Sequence, residues 1–278
     1  MSYPFFLIDV FSPNRLRGNP LAVVVADQIS SEDMMAITRW LNFSETSFLL
    51  QPTSPAAEYR VRIFTPEREM PFAGHPTLGT CHAWLSLGNQ PRVFGKIVQE
   101  CEAGLVRLRH NAGRLAFAAP PLLRSGPVDE ESLQEILGVL RLSRSEIIDI
   151  QWADNGPGWV VARLGSAEAV LALEPASSHS RRLDIGVVGP YPEGSRAGFE
   201  VRAFFTDHTG LLREDPVTGS LNASIAQWLL RDGITTAPYI ASQGARLGRT
   251  GEIFLDQDET GQVWVGGDTH TQFVGTTA

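Results

Sequence analysis

Apolar and β-branched residues fall in short alternating or continuous runs bounded by Gly, Pro, Asn and Ser, the pattern of strands rather than of helices. It predicts strands near residues 3–11, 20–26, 46–51, 58–65, 93–100, 104–109 and 114–118. A second series follows near 147–152, 158–164, 198–205, 238–242, 251–256 and 262–266. Helical spacing is rarer. Ser31 heads Met34, Ile37 and Leu41, Pro76 and Pro216 each open an apolar helix, and 130–137 and 166–173 read as surface helices. The expected class is α+β, mostly strand, with one long helix in each half.

The two halves repeat. A shift of 140 positions lays Val61-Arg62-Ile63-Phe64 over Val201-Arg202-Ala203-Phe204, and His75-Pro76-Thr77-Leu78-Gly79-Thr80 over Asp215-Pro216-Val217-Thr218-Gly219-Ser220. A weaker echo relates Asn19-Pro20-Leu21-Ala22-Val23 to Gly156-Pro157-Gly158-Trp159-Val160. Self-similarity over such a span predicts two similar domains. Residues 1–119 form the first and 120–278 the second, joined near Pro120-Pro121, with a return of the last strand to the first domain left open.

Composition narrows the function. With 278 residues, 43% of them apolar and 19% charged, the chain can bury a sizeable core. Its net charge of −8, without a Lys/Arg run, argues against gripping nucleic acid, because counterion release needs clustered positive charge. The apolar opening lacks a basic n-region, and no apolar run approaches the roughly 20 residues that span a bilayer. A soluble, cytoplasmic protein without membrane or nucleic-acid partners is expected. Two cysteines, Cys81 and Cys101, cannot supply a four-ligand zinc site, and the spacing of His75 and His82 does not suit ligation from one helix face, so no metal is expected. No phosphate-loop or dinucleotide fingerprint is present. His110, His179, His208 and His270 read as solvated.

The repeated corners carry the candidate chemistry. His75 and Asp215 are each expected at the mouth of a helix, whose open N–H groups and partial positive charge suit a carboxylate. Gly74 permits close backbone approach to a ligand. Glu45 has two readings, an exposed strand residue or a desolvated carboxylate able to take and return a proton.

Gly18-Asn19-Pro20-x-Ala22-Val23, Asn42-x-Ser44-Glu45-Thr46-x-Phe48, Pro71-Phe72-Ala73-Gly74-His75-Pro76-Thr77-x-Gly79-Thr80 and Glu214-Asp215-Pro216-x-Thr218-Gly219-Ser220 stand in one order along the chain. With Arg62-Ile63-Phe64-Thr65-Pro66, Asn155-Gly156-Pro157 and Gln243-Gly244, they resemble the PhzF (phenazine biosynthesis) family from about residue 8 to 254. The resemblance implies a diaminopimelate-epimerase-like fold: two pseudo-symmetric domains, each a curled, mostly antiparallel sheet around a central helix, with the active site between them. It implies a cofactor-independent isomerase in which Glu45 shifts a proton between carbons of a small carboxylic acid. His75 and Asp215 then match polar active-site residues, Gly74, Gly219 and Ser220 match groups lining the substrate pocket, and a homodimer is expected. Racemases of this fold use one cysteine at each corner; here position 73 is Ala and the second corner holds no Cys, which disfavours a two-thiol mechanism. An epimerase or racemase using the same cleft, and a non-catalytic protein binding a small acid, remain the alternatives.

Overall fold

The computed structural model describes residues 2–111 and 113–277. The chain divides into two compact units, Met1–Ala118 with Val265–Ala278, and Ala119–Trp264. In the first unit the order is β1 (Pro4–Val10), β2 (Asn19–Val25), α1 (Ser31–Leu41), β3 (Thr46–Leu50), β4 (Tyr59–Phe64), β5 (Glu69–Met70), α2 (Gly74–Ser86), β6 (Lys96–Cys101), β7 (Gly104–Asn111) and β8 (Arg114–Ala118). The second unit holds β9 (Arg124–Pro127), α3 (Glu130–Leu140), β10 (Ile147–Asp154), β11 (Trp159–Leu164), α4 (Ala167–Leu171), β12 (Asp184–Pro190), β13 (Phe199–Thr206), β14 (Leu212–Asp215), α5 (Gly219–Arg231), β15 (Tyr239–Gln243) and β16 (Gly251–Gln257). Next, β17 (Val263–Gly267) crosses the boundary in sequence, and β18 (Thr269–Thr276) lies in the first unit.

Both units use one pairing scheme. β1–β2 is antiparallel, β2–β3 parallel, β3–β4 antiparallel, β4–β6 parallel and β6–β7 antiparallel. β10–β11, β11–β12, β12–β13, β13–β15 and β15–β16 repeat that alternation. Parallel neighbours need a crossover rather than a hairpin, and the helices occupy those crossovers: α1 joins β2 to β3 and α2 intervenes between β4 and β6, as α4 and α5 do in the second unit.

The first sheet curls around α2, which touches β1, β2, β3, β4, β8 and β18. That explains why the helix is apolar on most sides, with Leu78, Cys81, Ala83 and Trp84 all buried. Gly79 sits where α2 meets β2, and a Cβ there would run into the Leu21 side chain. In the second unit the glycine is on the strand instead: Gly186 of β12 makes room for Leu221 of α5. The outer sheet faces carry the other helices. Met34 of α1 packs with Val24, Phe48 and Phe64, while Leu133, Ile136 and Leu140 of α3 join Val160, Ile185, Val187 and Phe204.

Each unit also keeps an arginine fork at one place. Arg62 grips Glu69 through Nε and Nη2 at 2.7 and 2.6 Å and lies over the Phe64 ring; Arg202 grips Glu214 at 2.9 and 2.8 Å and lies over Phe204. Phe64 faces Glu69 in the ladder, as Phe204 faces Glu214. Four residues separate the first pair in sequence and nine the second. The longer turn is organised by Asp207, which accepts from the N–H groups of Thr209 and Leu211 and pairs with Arg213.

Those five extra residues correct the gap-free repeat. The offset is 140 at Val61 and Val201 but 145 at the first helical residues, Gly74 and Gly219. The counterpart of His75 is therefore Ser220, and that of Asp215 is Met70. Neither proline opens its helix: Pro76 is the third residue of α2, and Pro216 lies in the segment before α5. The strands β5, β9, β12, β14 and β18 also lie outside the expected set; β5 is only two residues long, and glycines in β9, β12 and β18 and charged residues in β14 dilute the β-branched signal.

Candidate active site

In the first unit, α1 ends at Asn42, in the left-handed conformation with φ 53°. The turn delivers Ser44 and Glu45 to the start of β3, and the chain after β5 brings His75 in as the second residue of α2. His75 Nε2 lies 3.6 Å from Glu45 Oε2, with the two side chains 4% and 18% exposed. Of the two readings of Glu45, the structure selects the largely buried one. The separation exceeds a formed hydrogen bond.

On the other side of the ring, Asn19 Nδ2 is 3.4 Å from His75 Nδ1, and Ser44 Oγ is 3.5 Å from Asn19 Oδ1. Asn19, the first residue of β2, is completely buried. With the amide NH2 facing Nδ1, the neutral ring carries its proton on Nε2, directed at Glu45.

Burial pushes the His75 pKa down to about 3, so the imidazole is neutral and the Glu45 contact is not an ion pair. Below about pH 6.5 the unfolded chain takes up a proton that the folded ring refuses until about pH 3, so stability is full above that range and falls through it as pH drops. The slope from this group approaches about 1.4 kcal/mol per pH unit. Urea unfolding between pH 7 and 4.5 should show this loss in the parent chain and a flatter profile in His75→Asn; equal slopes would exclude His75 as the source.

The second unit supplies Asp215, Gly219 and Ser220. Asp215 ends β14 and does not cap α5, contrary to expectation; the N-cap position belongs to Thr218. Thr218 Oγ1 instead donates to Asp215 Oδ2. Ser220, in the first turn of α5, accepts from the Trp159 indole N–H at 3.2 Å, and its carbonyl accepts from Asn155 Nδ2 at 2.9 Å.

The helix starts differ in a telling way. α1, α3 and α4 are capped by the side chains of Ser30, Asp129 and Ser166, with acidic residues in each first turn. α2 and α5 have neither: Ala73 cannot cap, Thr218 does not, and no acidic residue stands in either first turn. A helix start without a side-chain cap keeps its partial positive charge, which suits an anion.

Within its own unit, each set is therefore close in the fold: Glu45, His75 and Gly74 in one, Asp215, Gly219 and Ser220 in the other. Asn19, Thr218 and Gln243 escaped the residue-level reading. Each stands within a quoted motif, but a neutral amide or hydroxyl has no titration or spacing signal of its own. Cys81 is fully buried, with its thiol pushed up to about 12 by desolvation, so it is unfit for proton transfer. His82 places its two ring nitrogens 2.8 Å from the hydroxyls of Thr269 and Thr271, a link between α2 and β18. His179 is not merely solvated: it contacts Glu135 at 2.7 Å. Among the described residues no cluster of three or more His, Cys, Asp or Glu is arranged to hold a metal, and no helix is long and apolar enough to cross a membrane.

Residues 8–275 match the family model for phenazine biosynthesis-like proteins, PhzC-PhzF. The chain belongs to that family. Curated relatives include the Antisense-enhancing sequence 1 protein of Schizosaccharomyces pombe, 34% identical over 97% of this chain and 96% of that one. The trans-2,3-dihydro-3-hydroxyanthranilate isomerase of Pseudomonas aeruginosa is 31% identical over 93% and 91%, and an uncharacterized isomerase of Pasteurella multocida is 33% identical over 95% and 90%. Among solved structures, a PhzF family protein of Bacillus anthracis superposes with a TM-score of 0.82 at 21% identity, covering 100% of this chain and 99% of that one. A hydroxyproline epimerase of Agrobacterium vitis shares the fold more distantly, with a TM-score of 0.59 at 12% identity over 99% and 92%. The α+β class and the epimerase-like fold are as expected from the motifs. The PhzF-like protein is an enzyme of the isomerase class.

Proposed function

We propose that this PhzF-like protein moves a proton between carbons of a small carboxylic acid without a cofactor, with Glu45 as the acid/base. The observation that carries the reading is the Glu45 carboxylate 3.6 Å from a buried, neutral His75 at the start of α2, which no side chain caps. A substrate carboxylate docked on the first-turn N–H groups, near Gly74, would gain about 0.3–2 kcal/mol from that helix end. Glu45 takes a proton from a carbon acidified by a neighbouring double bond and returns it elsewhere on the same face. His75, holding its own proton on Nε2, steadies the developing charge as a hydrogen-bond donor. In the same proposal Asp215, Gly219 and Ser220 serve that substrate from the second unit, where α5 likewise starts without a side-chain cap.

A two-thiol racemase has no support at the equivalent N-cap positions, which are Ala73 and Thr218, and Cys81 is inert. The chemistry named for the Pseudomonas aeruginosa relative makes trans-2,3-dihydro-3-hydroxyanthranilate the first substrate to test. Incubation in deuterated water, followed by NMR, should show deuterium entering one carbon as a double bond migrates. Inversion at a single carbon would mark an epimerase, and binding without exchange across a panel of small carboxylic acids would sink the catalytic reading. The homodimer and the cytoplasmic location belong to the same proposal through the family resemblance, and light scattering reads the first.

A further inference from the structure

Gln243 is fully buried at the end of β15, and its amide orientation is set by groups whose donor or acceptor character is not in question. Its Oε1 accepts from the backbone N–H of Thr218 at 3.0 Å, so oxygen must face that side. Its Nε2 donates to the backbone carbonyl of Asp215 at 3.1 Å, so NH2 must face the other. Asn222 Nδ2, itself fixed as a donor by the Thr218 carbonyl at 2.9 Å, gives Oε1 its second hydrogen bond at 2.8 Å. The remaining Nε2 hydrogen goes to Thr218 Oγ1 at 2.9 Å. All four hydrogen-bonding positions of the amide are then used.

The direction of the next bond follows. Because Thr218 Oγ1 accepts from Gln243, its own hydrogen is the one shared with Asp215 Oδ2. The carboxylate receives a proton donor and has none to offer in return, which favours its ionised form. Glu214, its neighbour in β14, is occupied by Arg202. We propose that Gln243 and Thr218 are positioning residues which hold Asp215 as an ionised hydrogen-bond acceptor. Taken with the proposed role of Asp215 in substrate binding, on which this step rests, the substrate group meeting Asp215 must be a donor, an amine or hydroxyl rather than a second carboxylate or a carbonyl.

The test needs no substrate. In protein with 13C-labelled aspartate carboxyl groups, the Asp215 resonance is identified by its loss in Asp215→Asn and titrated in the parent, Thr218→Val and Thr218→Ser. Removing the donor in Thr218→Val should raise the Asp215 midpoint by about one pH unit, a tenfold gain in proton affinity, while Thr218→Ser, which keeps the hydroxyl, should leave it in place. Thr218→Ala gives the same reading should the valine variant not fold. An unchanged midpoint in the valine or alanine variant, or a serine variant shifted equally, overturns the proposal. Failure of the functional reading shows elsewhere: Asp215→Asn would turn over substrate like the parent, whatever the titration reports.

Discussion

Glu45→Gln should lower the rate of carbon-bound hydrogen exchange by about 10²–10⁴-fold, the range that general acid–base catalysis supplies, while ligand binding survives. The substitution keeps the size and shape of a side chain that is 18% exposed and changes only its capacity to take a proton. Thermal-shift binding of a small carboxylic acid should therefore persist, because the anchorage proposed at α2 uses backbone N–H groups rather than Glu45. Exchange at the parental rate would remove Glu45 from the chemistry. Loss of both binding and rate would instead make it a binding group.

The largest stability effect is expected at the duplicated arginine fork, and it should be unequal. Arg202 and Glu214 are 5% and 11% exposed, and Arg202 Nη1 also donates to the carbonyls of Val170 and Leu173 at 3.2 and 2.8 Å. Arg202→Met strands a largely buried carboxylate and leaves those carbonyls without this donor, a loss of about 3–5 kcal/mol. The matching pair in the first unit is 20% and 29% exposed, so water can solvate Glu69 after Arg62→Met and the loss should be about 1 kcal/mol or less. Urea unfolding of the two variants at pH 7 checks the difference. Equal losses would mean that burial does not govern the strength of the fork.

The repeat was partly legible and partly misleading. Val61-Arg62-x-Phe64 and Val201-Arg202-x-Phe204 are true counterparts, because the same fork forms on the same strand in both units. The pairing of His75 with Asp215 was an accident of spacing. A five-residue extension of the turn before β14 shifts the second helix, and proline and glycine recur often enough here to fill the wrong register. Sequence alignment cannot weigh a hairpin extension, whereas ladder pairing of Phe204 with Glu214 reveals it directly. β12 was hidden for a different reason: Gly186 interrupts its apolar run, and the glycine is needed because Leu221 lies against it.

Local chemistry by itself determined the strand-rich class, the duplication, the family motifs and the identity of Glu45, His75 and Asp215 as residues to watch. The class, the duplication and the two corners follow from periodicity and side-chain type, whereas the motifs and the acid/base candidate Glu45 follow from the resemblance to the PhzF family. Tertiary structure alone decided that Glu45 lies largely buried beside a neutral imidazole, that Asn19 stands behind that ring, and that Thr218 rather than Asp215 occupies the start of α5. Burial, ring protonation and hydrogen-bond direction depend on atoms brought together from distant positions, such as Asn19 and His75 or Thr218 and Gln243, and no window of sequence contains both partners.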